Sequence, residues 1–218
     1  MKRMNGLSQN IKILQPKVPP NLPSIDFNDR EDSYISMSVI SDCSIYGEDI
    51  EKLNFEQVIF KNVTFRDVSF RFVELTDAIF ERCDLSNVNF CDAIIHRVEF
   101  KESKLVGLNL SDSTLRNVLF DHCNANLVSF GYADLKQVRF DTSSLRNADF
   151  YESKFSKVAF KDCDIDEVNF TGTPLSGIDL SSCAFNRLNV LMNHLEGCIV
   201  SEEQAVGFAK LLGLKIKE

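Results

Sequence analysis

Every fifth residue from Ile35 to Val200 is Ile, Leu, Phe, Val or Ala, a frame of 34 positions that never slips. Of the 18 Phe in the chain, 15 lie on that frame. A period of five suits no regular element. On an α-helix five steps turn a side chain through about 140°, and on a flat strand an odd step changes face each time. The backbone must therefore bend once per pentad. If each pentad is one side of a square coil, strand alternation sends the frame residue (i) and the residue two before it (i−2) inward, sends i−1 outward and leaves i+1 and i+2 as the corner.

The i−2 residues fit an interior position. Val58, Val63, Val68, Val73, Ala78, Cys83, Val88 and Ala93 are all small or β-branched. A second period, of ten, is superposed: Cys83 with Leu85 alternates with Val88 and Phe90, so opposite walls carry matching large and small side chains and fill the interior densely. Thirty-four pentads make about 8.5 coils, a rod on the order of 40 Å long at a strand spacing of about 4.8 Å. The expected fold class is all-β, with the coils spanning residues 33–200 between an irregular, Pro-containing leader (1–32) and a short tail (201–218).

Composition limits what such a rod can do. The formal net charge of −8 in 218 residues argues against nucleic acid or an anionic membrane as direct ligand. Seven Cys, an odd number, no basic-then-apolar leader at Met1 and no apolar run near the roughly 18 residues of a membrane span imply a cytoplasmic chain with reduced thiols. Cys43, Cys83, Cys123, Cys163 and Cys183 are separated by multiples of 20 and stack at i−2 on one wall, where inward Cys behaves as a small hydrophobe rather than a metal ladder. Cys91, at i+1, is the thiol expected to be exposed and open to reaction. His96 and His194 share a wall about five coils, roughly 24 Å, apart, and His122 is on another wall. There is no GxxxxGK[ST] and no GxGxxG. The expectation is a protein that is not an enzyme and has no cofactor, metal or catalytic residues.

Charge and hydropathy are unevenly spread over the walls. The wall of Ile50, Phe70, Phe90, Leu110, Phe130, Phe150 and Phe170 carries Asp49, Glu51, Asp92, Asp112, Asp149 and Glu152 against Lys52 and Arg71. Such a face serves solubility in the plainest case and an electropositive partner in the sharper one. A different wall shows Val39, Ile59, Ile79 and Leu119 at outward i−1 positions, an apolar column that calls for a cover. The leader's Ile11, Ile13, Leu14, Val18 and Leu22 have nothing else to bury against, so they are the first choice of cover.

The pattern resembles that of the pentapeptide-repeat family, A(D/N)LXX, with copies at Ala133-Asp134-Leu135, Ala148-Asp149-Phe150 and Cys83-Asp84-Leu85 over residues 33–200. The resemblance implies a right-handed quadrilateral β-helix. After the coils, Ser201-Glu202-Glu203-Gln204 has the form of a capping box, an apolar run follows, Gly213 suits a helix stop, and Leu214-Lys215-Ile216 alternates like a short strand. A β-helix ending in a helix and a strand is similar to the loop-free fluoroquinolone-resistance proteins of the Qnr and MfpA type. That likeness implies a DNA-mimicking rod that binds DNA gyrase or topoisomerase IV through the acidic residues named above, and a homodimer joined through the C-terminal module. Phe208, Leu211, Leu212, Leu214 and Ile216 would supply the dimer contact, since they offer more apolar surface than the last coil can cover. The alternative is a structural or regulatory interaction module with another partner. The unbroken frame leaves no room for the loops that project from the coils of several Qnr proteins.

Overall fold

The structure is a computed structural model, and it describes residues 11–30, 32–211 and 214–215, without the side chains of residues 210 and 211. It is a right-handed four-sided parallel β-helix. Seven eight-residue strands mark successive coils: β1 (Tyr34–Ser41), β3 (Asn54–Lys61), β5 (Glu74–Glu81), β6 (Ile94–Lys101), β7 (Thr114–Asp121), β8 (Asp134–Asp141) and β9 (Lys154–Lys161). They form one parallel sheet in chain order, each residue pairing with the one twenty positions on, as in Phe80↔Phe100 and Phe120↔Phe140. Two short strands, β2 (Ser44–Tyr46) and β4 (Thr64–Arg66), pair on a third wall. Single bridges such as Asp84↔Lys104 and Asn89↔Asn109 join the same coils along the rest of the third wall and the fourth.

The walls are accordingly of two kinds. Each long strand covers two pentads and bends between them, at residues such as Gln57 (φ 56°) and Asn117 (φ 55°), so the first wall (Ile35, Phe55, Leu75) and the second (Ile40, Phe60, Phe80) are one folded sheet. The third wall (Ile45, Phe65, Leu85) and the fourth (Ile50, Phe70, Phe90) mostly end in tight turns, in which Val88 N donates to Leu85 O and Val73 N to Phe70 O, both at 3.2 Å. Asn87 (φ 60°) and Phe72 (φ 58°) supply the positive φ that the third residue of a type II turn needs. Positive φ recurs at the i+2 corner of every pentad from Met37 to Gly177. Asp and Asn tolerate that region better than most residues, which by itself accounts for many of the acidic corners.

Inside, the frame residues form ladders. Rings of Phe60, Phe80, Phe100, Phe120, Phe140 and Phe160 stack along the second wall at 4.6, 4.9, 5.0, 4.7 and 5.0 Å. That spacing is the rise of one coil and matches the strand separation of about 4.8 Å. Fully buried Ala125 sits in the coil where Phe120 and Phe130 meet edge to face at 5.8 Å. The small i−2 residues do more than fill space. Ser103 Oγ accepts from Cys83 N at 3.0 Å and donates to Lys101 O at 2.8 Å, and Ser143 serves Cys123 N and Asp141 O in the same way. These inward hydroxyls satisfy corner amides and carbonyls that the parallel ladder leaves over.

The leader lies on the rod. Ser24 bridges to Val39, with Ile25 N to Val39 O at 2.9 Å and Val39 N to Pro23 O at 2.8 Å. Upstream it runs back along the edge between the first and second walls, where Gln57 Nε2 donates to Lys17 O (2.8 Å), Lys17 N to Asp77 Oδ1 (2.9 Å), Leu14 N to Asn117 Oδ1 (3.2 Å) and Gln137 Nε2 to Lys12 O (3.3 Å). Val39, Ile59, Ile79 and Leu119 are half-buried beside it, so the leader is the cover that the apolar column requires.

The other end closes with α1 (Glu202–Leu211). Its capping box is formed: Gln204 N donates to Ser201 Oγ at 3.2 Å and Ser201 N to Gln204 Oε1 at 2.8 Å. Gln204 Nε2 also donates to Leu180 O (3.0 Å) and Cys183 O (2.8 Å), tying the helix to the last coils. Leu214 N donates to Ala209 O at 3.1 Å, the 6→1 bond of a helix stop. Leu214 and Lys215 belong to no strand, and Gly213 and Ile216 lie outside the described residues. No helix among the described residues is long and apolar enough to cross a membrane.

Candidate functional site

The acidic fourth wall is built from two columns with different chemistry. At i−1, Asn89 Nδ2 donates to Ser69 Oγ (3.4 Å), Asn109 Nδ2 to Asn89 Oδ1 (3.1 Å) and Asn169 Nδ2 to Asp149 Oδ1 (2.8 Å). Asp149 thus belongs to an amide ladder and also accepts from Tyr151 N at 3.1 Å. Its carboxylate is half-buried and its lone pairs are directed along the wall. At the corner, Asp92 (φ 61°), Asp112 (φ 58°) and Glu152 (φ 50°) project from positive-φ positions, and the corner between Asp112 and Glu152 is the exposed Tyr132. Tyr132 packs edge to face on Tyr151 at 5.4 Å.

Electrostatically the wall is graded along its length. Near the start of the rod, Arg71 reaches Glu51 at 3.5 Å and Asp92 at 3.9 Å, so these two acids are partly neutralised. Among the described residues Asp49, Asp112, Asp149 and Glu152 have no cationic partner within 4.0 Å. The corner between the second and third walls is different, for there Arg82 lies among Asn62, Glu81 and Glu102, and Lys61 pairs with Glu81.

The apolar tail residues are divided. Phe208 is half-buried and packs on Phe185, ring centroids 5.8 Å apart, so it serves the chain's own core. Leu214 is 59% exposed. The side chains of Leu211, Leu212 and Ile216 lie outside the described residues. Four further apolar residues at this end are exposed, Val206 on α1 and Leu191, Met192 and Ile199 in the last pentads, where the five-residue frame does not count them because they lie off it.

Among the described residues one His–carboxylate pair forms, His122 Nδ1 with Asp121 Oδ1 at 2.7 Å, but it stands exposed at a corner of the rod, outside the cleft under α1. That cleft, of about 490 Å³, is bordered by Arg146, Asp164, Asp166, Phe185 and Phe208. Its best candidate base, Asp166, is fully engaged: Oδ1 accepts from Asn186 N (2.8 Å) and Arg187 N (3.1 Å), and Oδ2 pairs with Arg146 (2.7 Å). Those two backbone N–H groups hold its carboxyl below the usual carboxylate range. Burial pushes the Cys83 thiol up to about 11 and the Cys123 thiol up to about 12, so both stay protonated and donate to carbonyls of the preceding coil. Cys91, expected to be exposed, is half-buried, and its thiol donates to Asp92 Oδ2 at 3.3 Å. Burial first and Asp92 second raise its pKa, which works against reactivity. Among the described residues no group of three or more His, Cys, Asp or Glu is placed to hold a metal ion.

Comparison with known proteins places this architecture. The profile of the pentapeptide repeat region matches residues 73–150 and 133–207, and that of pentapeptide repeats (8 copies) matches residues 49–87. YisX of Bacillus subtilis, a protein described as uncharacterized, is 46% identical over 208 residues, covering 94% of this chain and 98% of its own. Among solved structures, trypsin-treated QnrB1, a plasmid-mediated fluoroquinolone resistance protein, aligns with a TM-score of 0.48 at 18% identity over 83% of this chain and 100% of its own. HetL, a pentapeptide repeat protein involved in heterocyst differentiation regulation from the cyanobacterium Nostoc, aligns with a TM-score of 0.33 at 15% identity over 78% of this chain and 90% of its own. With two repeat profiles spanning most of the coils and a full-length relative at 46% identity, the chain belongs to the pentapeptide-repeat family.

Proposed function

We propose that this protein is a non-catalytic rod that binds a type II topoisomerase, DNA gyrase or topoisomerase IV, in place of or beside DNA, and so reduces fluoroquinolone action. What supports the reading is the fourth wall, where among the described residues Asp149 on the i−1 column and Asp112 and Glu152 on the corner column stand without cationic partners, on columns whose rise is that of the coil. Carboxylates projecting along a rod meet the Lys and Arg of a DNA-binding saddle as phosphates do, and the attraction weakens with salt. Tyr132 and Tyr151 add an aromatic contact at the centre of that face. Two copies joined by Leu191, Met192, Ile199, Val206 and Leu214 at the C-terminal end would double its length.

A second reading, an interaction module for a different partner, is favoured by the neutralisation of Glu51 and Asp92 by Arg71 and by the suitability of Asp for positive-φ corners. The deciding experiment is retention of purified gyrase on the immobilised protein across a salt series, beside a supercoiling titration. If neither gyrase nor, in the same assay, topoisomerase IV is retained at low salt, the first reading is removed and the second is left.

A further inference from the structure

The leader is gripped by its main chain. All four anchors, Gln57, Asp77, Asn117 and Gln137, occupy the same corner of different coils, and each bonds a backbone N–H or C=O of Lys12, Leu14 or Lys17. None of these bonds reads a leader side chain. Between residues 11 and 24 only Ile11 is buried, and Leu14 is 46% exposed. The fit is metrical. Leu14 to Lys17 is three residues, about 9.3 Å in a polyproline II conformation, and Asn117 to Asp77 is two coils, about 9.6 Å. Pro16, Pro19, Pro20 and Pro23 hold φ near the value this conformation needs, so little conformational freedom is lost when the segment lies down.

Anchors that recognise only main chain accept any peptide of matching rise, and a cover with one buried side chain is readily displaced. We propose that the edge between the first and second walls is a binding site for an extended, polyproline II-like peptide, occupied in cis by the leader and open in trans to a segment of a partner protein with a branched aliphatic residue at the place of Ile11. The site is on different walls from the acidic face and does not depend on the topoisomerase reading.

The test uses a fluorescein-labelled synthetic peptide of residues 11–24 and full-length protein, read by fluorescence anisotropy. Ile11→Asp and Lys17→Pro loosen the leader and leave the edge intact, so both variants should bind the peptide at least tenfold more tightly than wild type. Adding Asn117→Ala to Ile11→Asp should cost about tenfold, and the same peptide carrying Ile11→Asp should not bind. Equal affinity for wild type and the loosened variants, or no binding to variants that remain folded by circular dichroism, overturns the proposal. Hydrogen exchange of the wild-type chain gives a check that needs no variant. The Leu14 and Lys17 amides should exchange well ahead of the Phe100 amide, and exchange of all three only through global unfolding would show a fixed cover and refute displacement.

Discussion

The backbone N–H of Lys17 donates to a carboxylate oxygen of Asp77 at 2.9 Å, across 60 residues of chain. Asp77 is 4% exposed, sits at a positive-φ corner (56°) and takes two bonds from Arg97, at 2.5 and 2.6 Å. One side chain thus closes a corner, neutralises a cation from the next coil and holds the leader. Burial would raise its pKa, but the Arg97 bonds and the Lys17 N–H outweigh that and leave it below the usual carboxylate range.

Asp77→Asn should therefore lower stability by about 1.5–3 kcal/mol at neutral pH, the range for a hydrogen bond to a charged group. Because the folded-state pKa is depressed, this contribution is present above the unfolded value of about 3.9 and is lost as pH falls through the folded value. Urea midpoints of wild type and variant should differ steadily above about pH 5 and converge in stronger acid. A difference that persists at the lowest pH would assign the effect to packing instead of charge.

Phe100 is fully buried and stacks at 4.9 and 5.0 Å on the rings of the neighbouring coils. Phe100→Ala should cost about 3–5 kcal/mol in chemical denaturation, since parallel coils on both sides prevent collapse of the cavity. A cost below about 1 kcal/mol would show that the stack closes up.

The acidic wall separates by residue. Asp112→Asn, at an exposed corner, and Glu152→Gln, which keeps an acceptor for the Tyr151 hydroxyl, should move stability within about ±0.5 kcal/mol. Asp149→Ala should cost about 1 kcal/mol or more, because it strands Tyr151 N and Asn169 Nδ2. If the wall meets gyrase, Asp92→Asn, Asp112→Asn, Asp149→Asn and Glu152→Gln combined should weaken retention and flatten its salt dependence. Undiminished gyrase binding by that folded variant would move the interface elsewhere.

At the C-terminal end, truncation after Val200 removes α1 and the Gln204 amide that caps Leu180 O and Cys183 O. The product should be monomeric or aggregated by light scattering. A truncated chain that remains a well-behaved dimer would rule out this end as the joint. Gln204→Ala in the full chain should cost about 1 kcal/mol as a lost cap.

Leu127 is 59% exposed at φ 62°, a poor residue for the left-handed region. Leu127→Gly should stabilise by up to about 1 kcal/mol if relief at the corner exceeds the added freedom of the unfolded chain. Thermal unfolding decides the sign.

Much of this molecule could be read from a five-residue count. The frame from Ile35 to Val200, the inward i−2 set and the cover over Val39, Ile59, Ile79 and Leu119 follow from which residues must face inward and which apolar ones are left over. The anchors Gln57, Asp77, Asn117 and Gln137 could not be found that way. A corner position says that a side chain is outside the core, and not which distant segment passes over it. The bonds of the Ser103 and Ser143 hydroxyls are equally hidden, because periodicity weighs size and is blind to which carbonyl an inward group can reach. Asp149 looked equivalent to Asp112 on the same wall, yet one is built into an amide ladder and the other is not, a difference fixed by the residue one coil away.

The leader's match to the coil rise makes it a gauge of rod length. Duplicating or deleting a twenty-residue coil would preserve the square section, the Phe stack and every register in the sheet. It would still shift the anchors on either side by about 4.8 Å, roughly one and a half residues of a polyproline II chain. No whole number of leader residues makes up that offset. Only a change of two coils between Asp77 and Asn117 can be answered, by three leader residues, so the leader and the middle coils are constrained to vary together although they are far apart in the chain.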